Sequence, residues 1–343
     1  MSRAAELWVE FDARERRRGQ EKAKKFAAAI QRRADKLRRV IGAEHFFALQ
    51  QFERALRLEA LQKPHAVKVR ADARAELVRN QKRRVKKFLL DRGVATDKVA
   101  AAAAQVFEGI SFPFDTTVAG TLDEGVLDPR LSPTEPNAIQ LVEPPFTGGG
   151  GAGGQSEGSS SFRMQFVDRT DLTAGQVGMS IKFDDRNERE TGYAFMNQSS
   201  GVAFWFRAPL TGPVEVITEY MCVNALHKLT VEDQCGFSSA KAIQRHLFFM
   251  QVIHDNTFDP TYTLASEMRY DGDDDVFLNH RVFRSGRRLR TTMISSGVIN
   301  AGDVVQIVVG CRSEDEAHSN DMDVHSESTF TWFIPRVFAR MLK

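Results

Sequence analysis

Six of the chain's 11 prolines lie between Pro113 and Pro145, and seven of its 24 glycines lie between Gly148 and Gly158, in the run GGGGAGGQSEGSSS. A stretch of this composition has little apolar surface with which to offset the entropy of ordering it, so it divides whatever lies on either side. The reading is an extended Pro-rich strap followed by a flexible linker, together spanning 111–160. Residues 1–110 and 161–343 are then separate units, and the two are written in different residue types.

The first unit is basic and helical in pattern. Residues 1–106 hold 27 Lys and Arg against 13 Asp and Glu, a charge of +14, while the remainder holds 20 against 32, a charge of −12. The net charge of +2 is therefore a cancellation of two unlike ends. Residues 2–62 lack Pro and place Phe26, Ile30, Leu37, Ile41, Ala48, Phe52 and Ala55 at helical spacing, which predicts one long helix or a pair broken near Gly42. Pro64 ends it, a second helix is predicted over 66–91, and a third follows Thr96-Asp97.

The second unit reads as β. Of the 25 Phe, 19 lie after residue 106. Short Phe- and Val-rich runs recur at 162–167, 177–183, 202–207, 214–223, 247–254, 276–283, 289–294, 304–311 and 330–334, bounded by Gly, Pro, Asn or Asp. Ser285-Gly286 suits a tight hairpin turn between two of them, and 239–245 reads as a helical turn. The predicted fold class is multidomain α plus β: long N-terminal helices and a C-terminal antiparallel β-sandwich of jelly-roll type.

Three segments of this unit carry a family resemblance. Phe204-Trp205-Phe206-Arg207-Ala208-Pro209-Leu210-Thr211-Gly212 precedes a long strand, Ile299-Asn300-Ala301-Gly302-Asp303-Val304-Val305 opens another, and Ser328-Thr329-Phe330-Thr331-Trp332-Phe333 closes the domain. They resemble the F-x-A-P-x-x-G, L-x-x-G-D-x-V and closing-strand segments of the tumour necrosis factor and complement globular-head jelly rolls. The resemblance implies trimeric heads on a stalk, an arrangement also found in phage fibre and spike proteins. The chain departs from the animal members in lacking a collagen repeat and a signal peptide.

Chemistry-bearing clusters are few. Asp271–Asp275 (DGDDD) starts like a calcium loop, but Val276 and Val282 stand where Gly and Glu are required, so a solvated turn is expected. Asp321, Asp323 and His325 fall on one face of an extended strand and are weak candidates for a metal site. The surrounding run 314–327 is polar and acidic, as a surface loop would be. No nucleophile elbow, Walker loop, H-E-x-x-H or dinucleotide fingerprint occurs, and Cys222 and the scattered His residues read as structural groups, so no catalytic residue and no cofactor is assigned. Three Cys without C-x-x-C spacing argue against a disulfide framework.

The basic clusters are the more informative signal. Arg16, Arg17, Arg18, Lys24, Lys25, Arg83 and Arg84 could neutralise phosphates, yet they are interleaved with Glu and Ala and lack aromatics for base stacking, so docking on an acidic protein surface or bundling is favoured over nucleic acid. Arg284, Arg287 and Arg288 gather at one hairpin and are expected at a subunit interface, against the acidic loop of a neighbouring copy or a receptor. With no signal peptide and no apolar run long enough for a membrane span, the expected product is cytoplasmic and non-enzymatic, and becomes part of a virion or another large particle. The expectation is a homo-oligomer, trimeric for preference, anchored through its helical arm, with a head that binds a cell-surface receptor or glycan. The alternatives are a jelly-roll coat protein whose arm touches nucleic acid and a β-sandwich carbohydrate-active enzyme.

Overall fold

A computed structural model of the chain describes residues 34–62, 80, 83–99, 120–124, 138–146, 148–159, 161–185, 192–233, 239–254, 257–272, 275–320 and 322–342, with isolated positions between 13 and 32. Its described part is mostly antiparallel sheet. The larger sheet runs β1 (Thr121–Glu124), β11 (Arg288–Ile294), β7 (Val214–Asp233), β13 (Met322–Met341), β5 (Gln176–Asp185), β4 (Phe162–Asp168). Two further strands join it, β10 (Val276–Arg281) on β7 and β2 (Ala138–Val142) on β13. The smaller sheet runs β3 (Gly148–Gly158), β6 (Gly192–Arg207), β12 (Val304–Asn320), β8 (Ser239–His254), β9 (Thr257–Gly272).

The pairings are nested. From β5 to β13 the chain folds back on itself: β5 pairs β13, β6 pairs β12, β7 pairs β10 and β11, and β8 pairs β9, with successive pairs alternating between the sheets. Inward side chains follow the two-residue period of a strand. Val177, Met179, Ile181 and Phe183 on β5, and Ile307, Val309 and Cys311 on β12, are all buried. Between the sheets the core falls into two apolar clusters, while a third, of Ala203, Leu247, Phe249, Ile253, Tyr262 and Val308, lies on the other face of the smaller sheet. One gathers Tyr220, Phe248, Phe330 and Trp332, with Phe248 and Trp332 edge to face at 5.0 Å. The other gathers Ile181, Phe183, Leu229, Val231 and Val324. Each aromatic pair adds about 0.5–1.5 kcal/mol beyond the area it removes from water.

The expectation of long N-terminal helices is not supported. One continuous helix is described, α1 (Ala43–Gln62), with shorter helical stretches at 34–41, 83–90 and 96–99. Gly42, at φ +84°, separates α1 from the residues before it, where the sequence pattern placed a break. Leu37, Ile41, Leu49, Val85 and Leu89 form a small core of their own, with Phe52 stacked on Phe88 at 4.4 Å. Most of 2–33 and 63–82 lies outside the described residues.

Three further expectations are corrected. The strap and linker contribute β1, β2 and β3, and the glycine run is a sheet-edge strand hydrogen-bonded along β6. Its glycines serve close approach: a Cβ on Gly154 would lie 1.9 Å from the Asn197 carbonyl oxygen. Residues 239–245, read as a helical turn, begin β8. The run 314–327, read as a surface loop, is the end of β12 and the start of β13, and most of it is buried. Hydropathy misleads there because the polar groups satisfy one another inside the fold. The Ser285-Gly286 turn is where the pattern put it, with Gly286 at φ +81° and its N–H donating to the Cys222 carbonyl at 2.7 Å.

Candidate functional site

A seam of polar side chains crosses the sandwich between the two apolar clusters. It comes from the inward positions of five strands: His227 on β7, Gln244 and His246 on β8, Ser266 on β9, Ser313 and Asp315 on β12, Ser326 and Ser328 on β13. His227 and His246 stack with ring centroids 4.1 Å apart, and His246 stacks on Phe330 at 4.5 Å.

The Lys228 carbonyl fixes the direction of the protons from Gln244 as far as Ser328. Gln244 Nε2 donates to the Lys228 carbonyl at 3.0 Å and to Ser326 Oγ at 2.7 Å, so Oε1 faces His227 Nδ1 at 2.9 Å and must accept. A neutral His227 protonated on Nδ1 accepts through Nε2 from Ser266 Oγ at 2.9 Å. Ser266 Oγ then accepts from His246 Nδ1 at 3.1 Å, which leaves His246 Nε2 to accept from Ser328 Oγ at 3.2 Å. Ser328 lies 3.0 Å from Ser313, and Ser313 lies 3.3 Å from Asp315 Oδ1. Ser313 Oγ donates to Asp315 Oδ1, which ends the seam at the carboxyl group.

Burial, reinforced by Glu314 and opposed by the serine hydroxyls, pushes Asp315 up to about 8, so it is protonated at neutral pH. Burial drives His227 down to about 4, against the pull of its bond to Gln244, and His246 well below the ordinary imidazole value. Both imidazoles are neutral. Chemically the seam is a hydrogen-bonded relay that ties the two sheets together, with Asp315 Oδ2 its one oxygen left without a hydrogen-bond partner; His246, Ser313 and Gln244 are wholly buried, beyond a substrate's reach.

The outward face of β12 carries charge. Arg312 Nε meets Glu314 at 2.9 Å, Arg245 meets Glu314 at 3.6 Å and Glu267 at 3.2 Å, and His318 meets Glu316 at 2.5 Å. On the larger sheet Glu219, fully buried, is held between Arg288 at 3.0 Å and Arg336 at 3.4 Å.

The residues singled out from sequence fare differently. Arg288, expected to reach a neighbouring subunit, has an intrachain partner in Glu219. Arg284 and Arg287 frame the β10–β11 turn, where the Arg287 N–H donates to the Arg284 carbonyl at 3.1 Å. Arg17, Lys24, Lys25, Arg83 and Arg84 are helical and exposed, whereas Arg16 and Arg18 lie outside the described residues. Of the metal candidates, Asp321 lies outside the described residues, Asp323 is buried on β13, and His325 contacts Asp184 at 3.2 Å, itself paired with Lys182 at 2.9 Å. Among the described residues no three His, Cys, Asp or Glu side chains are grouped to hold a metal ion. Cys222 and Cys311 are buried free thiols, Cys222 pushed up by burial to about 11. The seam itself was missed. Its signal is the parity of β12, where the inward series Ile307, Val309, Cys311 continues without interruption into Ser313, Asp315, Ala317 and Ser319.

No protein-family model and no curated protein matches the chain. Among solved structures, the family 11 carbohydrate-binding module of the cellulosomal cellulase Lic26A-Cel5E of Clostridium thermocellum aligns over 51% of this chain and 94% of its own, at 11% identity and a TM-score of 0.13. The enzymatically active domain of tailspike protein 4 of bacteriophage CBA120 aligns over 47% of this chain and 19% of its own, at 10% identity and a TM-score of 0.11. Likeness at this level carries no argument about fold or function.

Proposed function

We propose that the chain is a non-enzymatic attachment protein, a virion appendage of the fibre, spike or head-decoration kind. In this reading the sandwich is a jelly-roll head, displayed in several copies, and the basic N-terminal third docks it on a larger assembly. The observation that supports the reading is the nested strand pairing, first with last and second with next to last, alternating between two sheets, as a jelly-roll head would have. The absorption of His227, His246 and Asp315 into the interior relay supports a binding role over a catalytic one. Several heads on one anchor would hold a cell-surface receptor or glycan through avidity, with no tight single site. The chain is expected to sediment across the micromolar range with a mass that is a multiple of the trimer's; a monomer or dimer throughout that range would remove the multivalent head.

A second reading, a coat protein whose arm contacts packaged nucleic acid, is favoured by the exposure of Arg17, Lys24, Lys25, Arg83 and Arg84 on helical segments.

A further inference from the structure

Strand β10 is paired on one side only. Its six residues hydrogen-bond to β7 in the register Val276↔Val231 through Arg281↔Leu226, and among the described residues no strand lies on its other edge. Phe277 is 69% exposed and Leu278 37%, and the four positions from Leu278 to Arg281 face solvent as well. Natural sheets guard open edges with charge, proline, glycine or bulges, because a bare row of N–H and C=O groups is a template for another strand. Other open edges here have such guards: β3 shifts register between Gly150 and Gly153, β4 carries exposed Arg163 and Asp168 near its ends, and β9 contains Pro260 and pairs across a bulge at His246/Leu247. The core of β10 has two adjacent exposed apolar residues and none of these devices.

The charges flanking β10 are arranged by end. The sequence entering the strand holds Asp273, Asp274 and Asp275, and the sequence from its last residue into the turn holds Arg281, Arg284 and Arg287. A strand acidic at its start and basic at its finish is complementary to itself when antiparallel. We propose that β10 is a homotypic docking edge, on which β10 of a second copy of this chain pairs antiparallel about a two-fold axis through Asn279.

The register follows from the backbone. Val282 donates its N–H toward β7, to the Ala225 carbonyl at 2.9 Å, so by alternation Phe277, Asn279 and Arg281 turn their N–H and C=O groups to the open edge. A two-fold pairing through those groups sets Asn279 opposite Asn279 and Phe277 opposite Arg281 of the second copy, an aromatic ring beside a guanidinium. It also brings each acidic end alongside the other copy's basic end, twice per contact. This contact continues the larger sheet across two molecules, and it does not depend on the trimeric head proposed above.

The test is a charge exchange in the full-length chain. Variant A carries Asp274→Lys and Asp275→Lys; variant B carries Arg281→Glu and Arg284→Glu; a third, Asn279→Pro, removes an outward N–H that the fold does not use and sets the baseline mass. By sedimentation velocity with circular dichroism as the control for folding, the native chain is expected to double the mass that Asn279→Pro retains. A alone and B alone are expected to need about tenfold higher concentration to associate, and an equimolar mixture to restore the native midpoint. A native chain that never exceeds the Asn279→Pro mass, a variant that doubles as readily as the native chain, or a mixture no better than its components would each overturn the proposal. The baseline mass, trimeric or monomeric, reports separately on the head.

Discussion

Asp315 sits with its carboxyl sealed between the sheets, and its protonation couples the seam to pH. Held at about 8 in the fold against an ordinary 3.8, it keeps its proton where the unfolded chain has already released it. Its contribution to stability is therefore complete below about 4, declines as pH rises, and is gone above about 8. His227, held at about 4 against an ordinary 6.5, has the opposite sign: the unfolded chain takes up the proton first, so stability is lost as pH falls from about 6.5 toward 4. Asp315→Asn, which stays neutral, is expected to lack the alkaline decline. Its advantage over the native chain should grow by about 1.4 kcal/mol per pH unit between about 4 and 8, read as the difference in urea midpoints across that range. Parallel stability curves for the two proteins would mean that Asp315 is ionised in the fold across that range.

Among the elements, β3 separates two physical accounts of a glycine run. In a flexible linker Gly154→Ala would be harmless or slightly stabilising, since it only narrows the unfolded ensemble. In a strand packed against β6, the new methyl group meets the Asn197 carbonyl oxygen and backbone must move. The substitution is expected to cost on the order of 1–3 kcal/mol in chemical denaturation, whereas an unchanged midpoint would restore the linker. The same lesson holds for β12 and β13. Their apolar halves were visible as 304–311 and 330–334, and their polar halves were not, because Ser313, Asp315, Ser326 and Ser328 look solvated until the strands that bury them are brought together.

For the whole molecule, the first third is basic and the rest acidic, and the two readings proposed for the basic arm differ in what it touches. If the arm neutralises phosphates, the full chain binds duplex nucleic acid at low salt with an affinity that falls about 10³-fold or more between 50 and 200 mM salt. Arg83→Glu with Arg84→Glu should then weaken binding and flatten that slope, as fluorescence anisotropy would record. Absence of binding at low salt leaves the arm to a protein surface and favours the appendage over the coat protein. The β10 contact lies in the acidic part, so it is expected to survive both arm substitutions unchanged.

Period-two alternation, aromatic content and turn residues determined, by themselves, that residues 161–343 form an antiparallel sandwich, that Ser285-Gly286 turns a hairpin, and that the basic and acidic ends differ, because these depend on neighbours in the chain. Strand length, the enlistment of the glycine run, the buried relay from Asp315 to the Lys228 carbonyl and the open edge at β10 were decided only by tertiary structure. Each of those depends on partners distant in sequence: a polar side chain can lie in the core only when another strand supplies its hydrogen bond, and an edge exists only once every other strand has been placed.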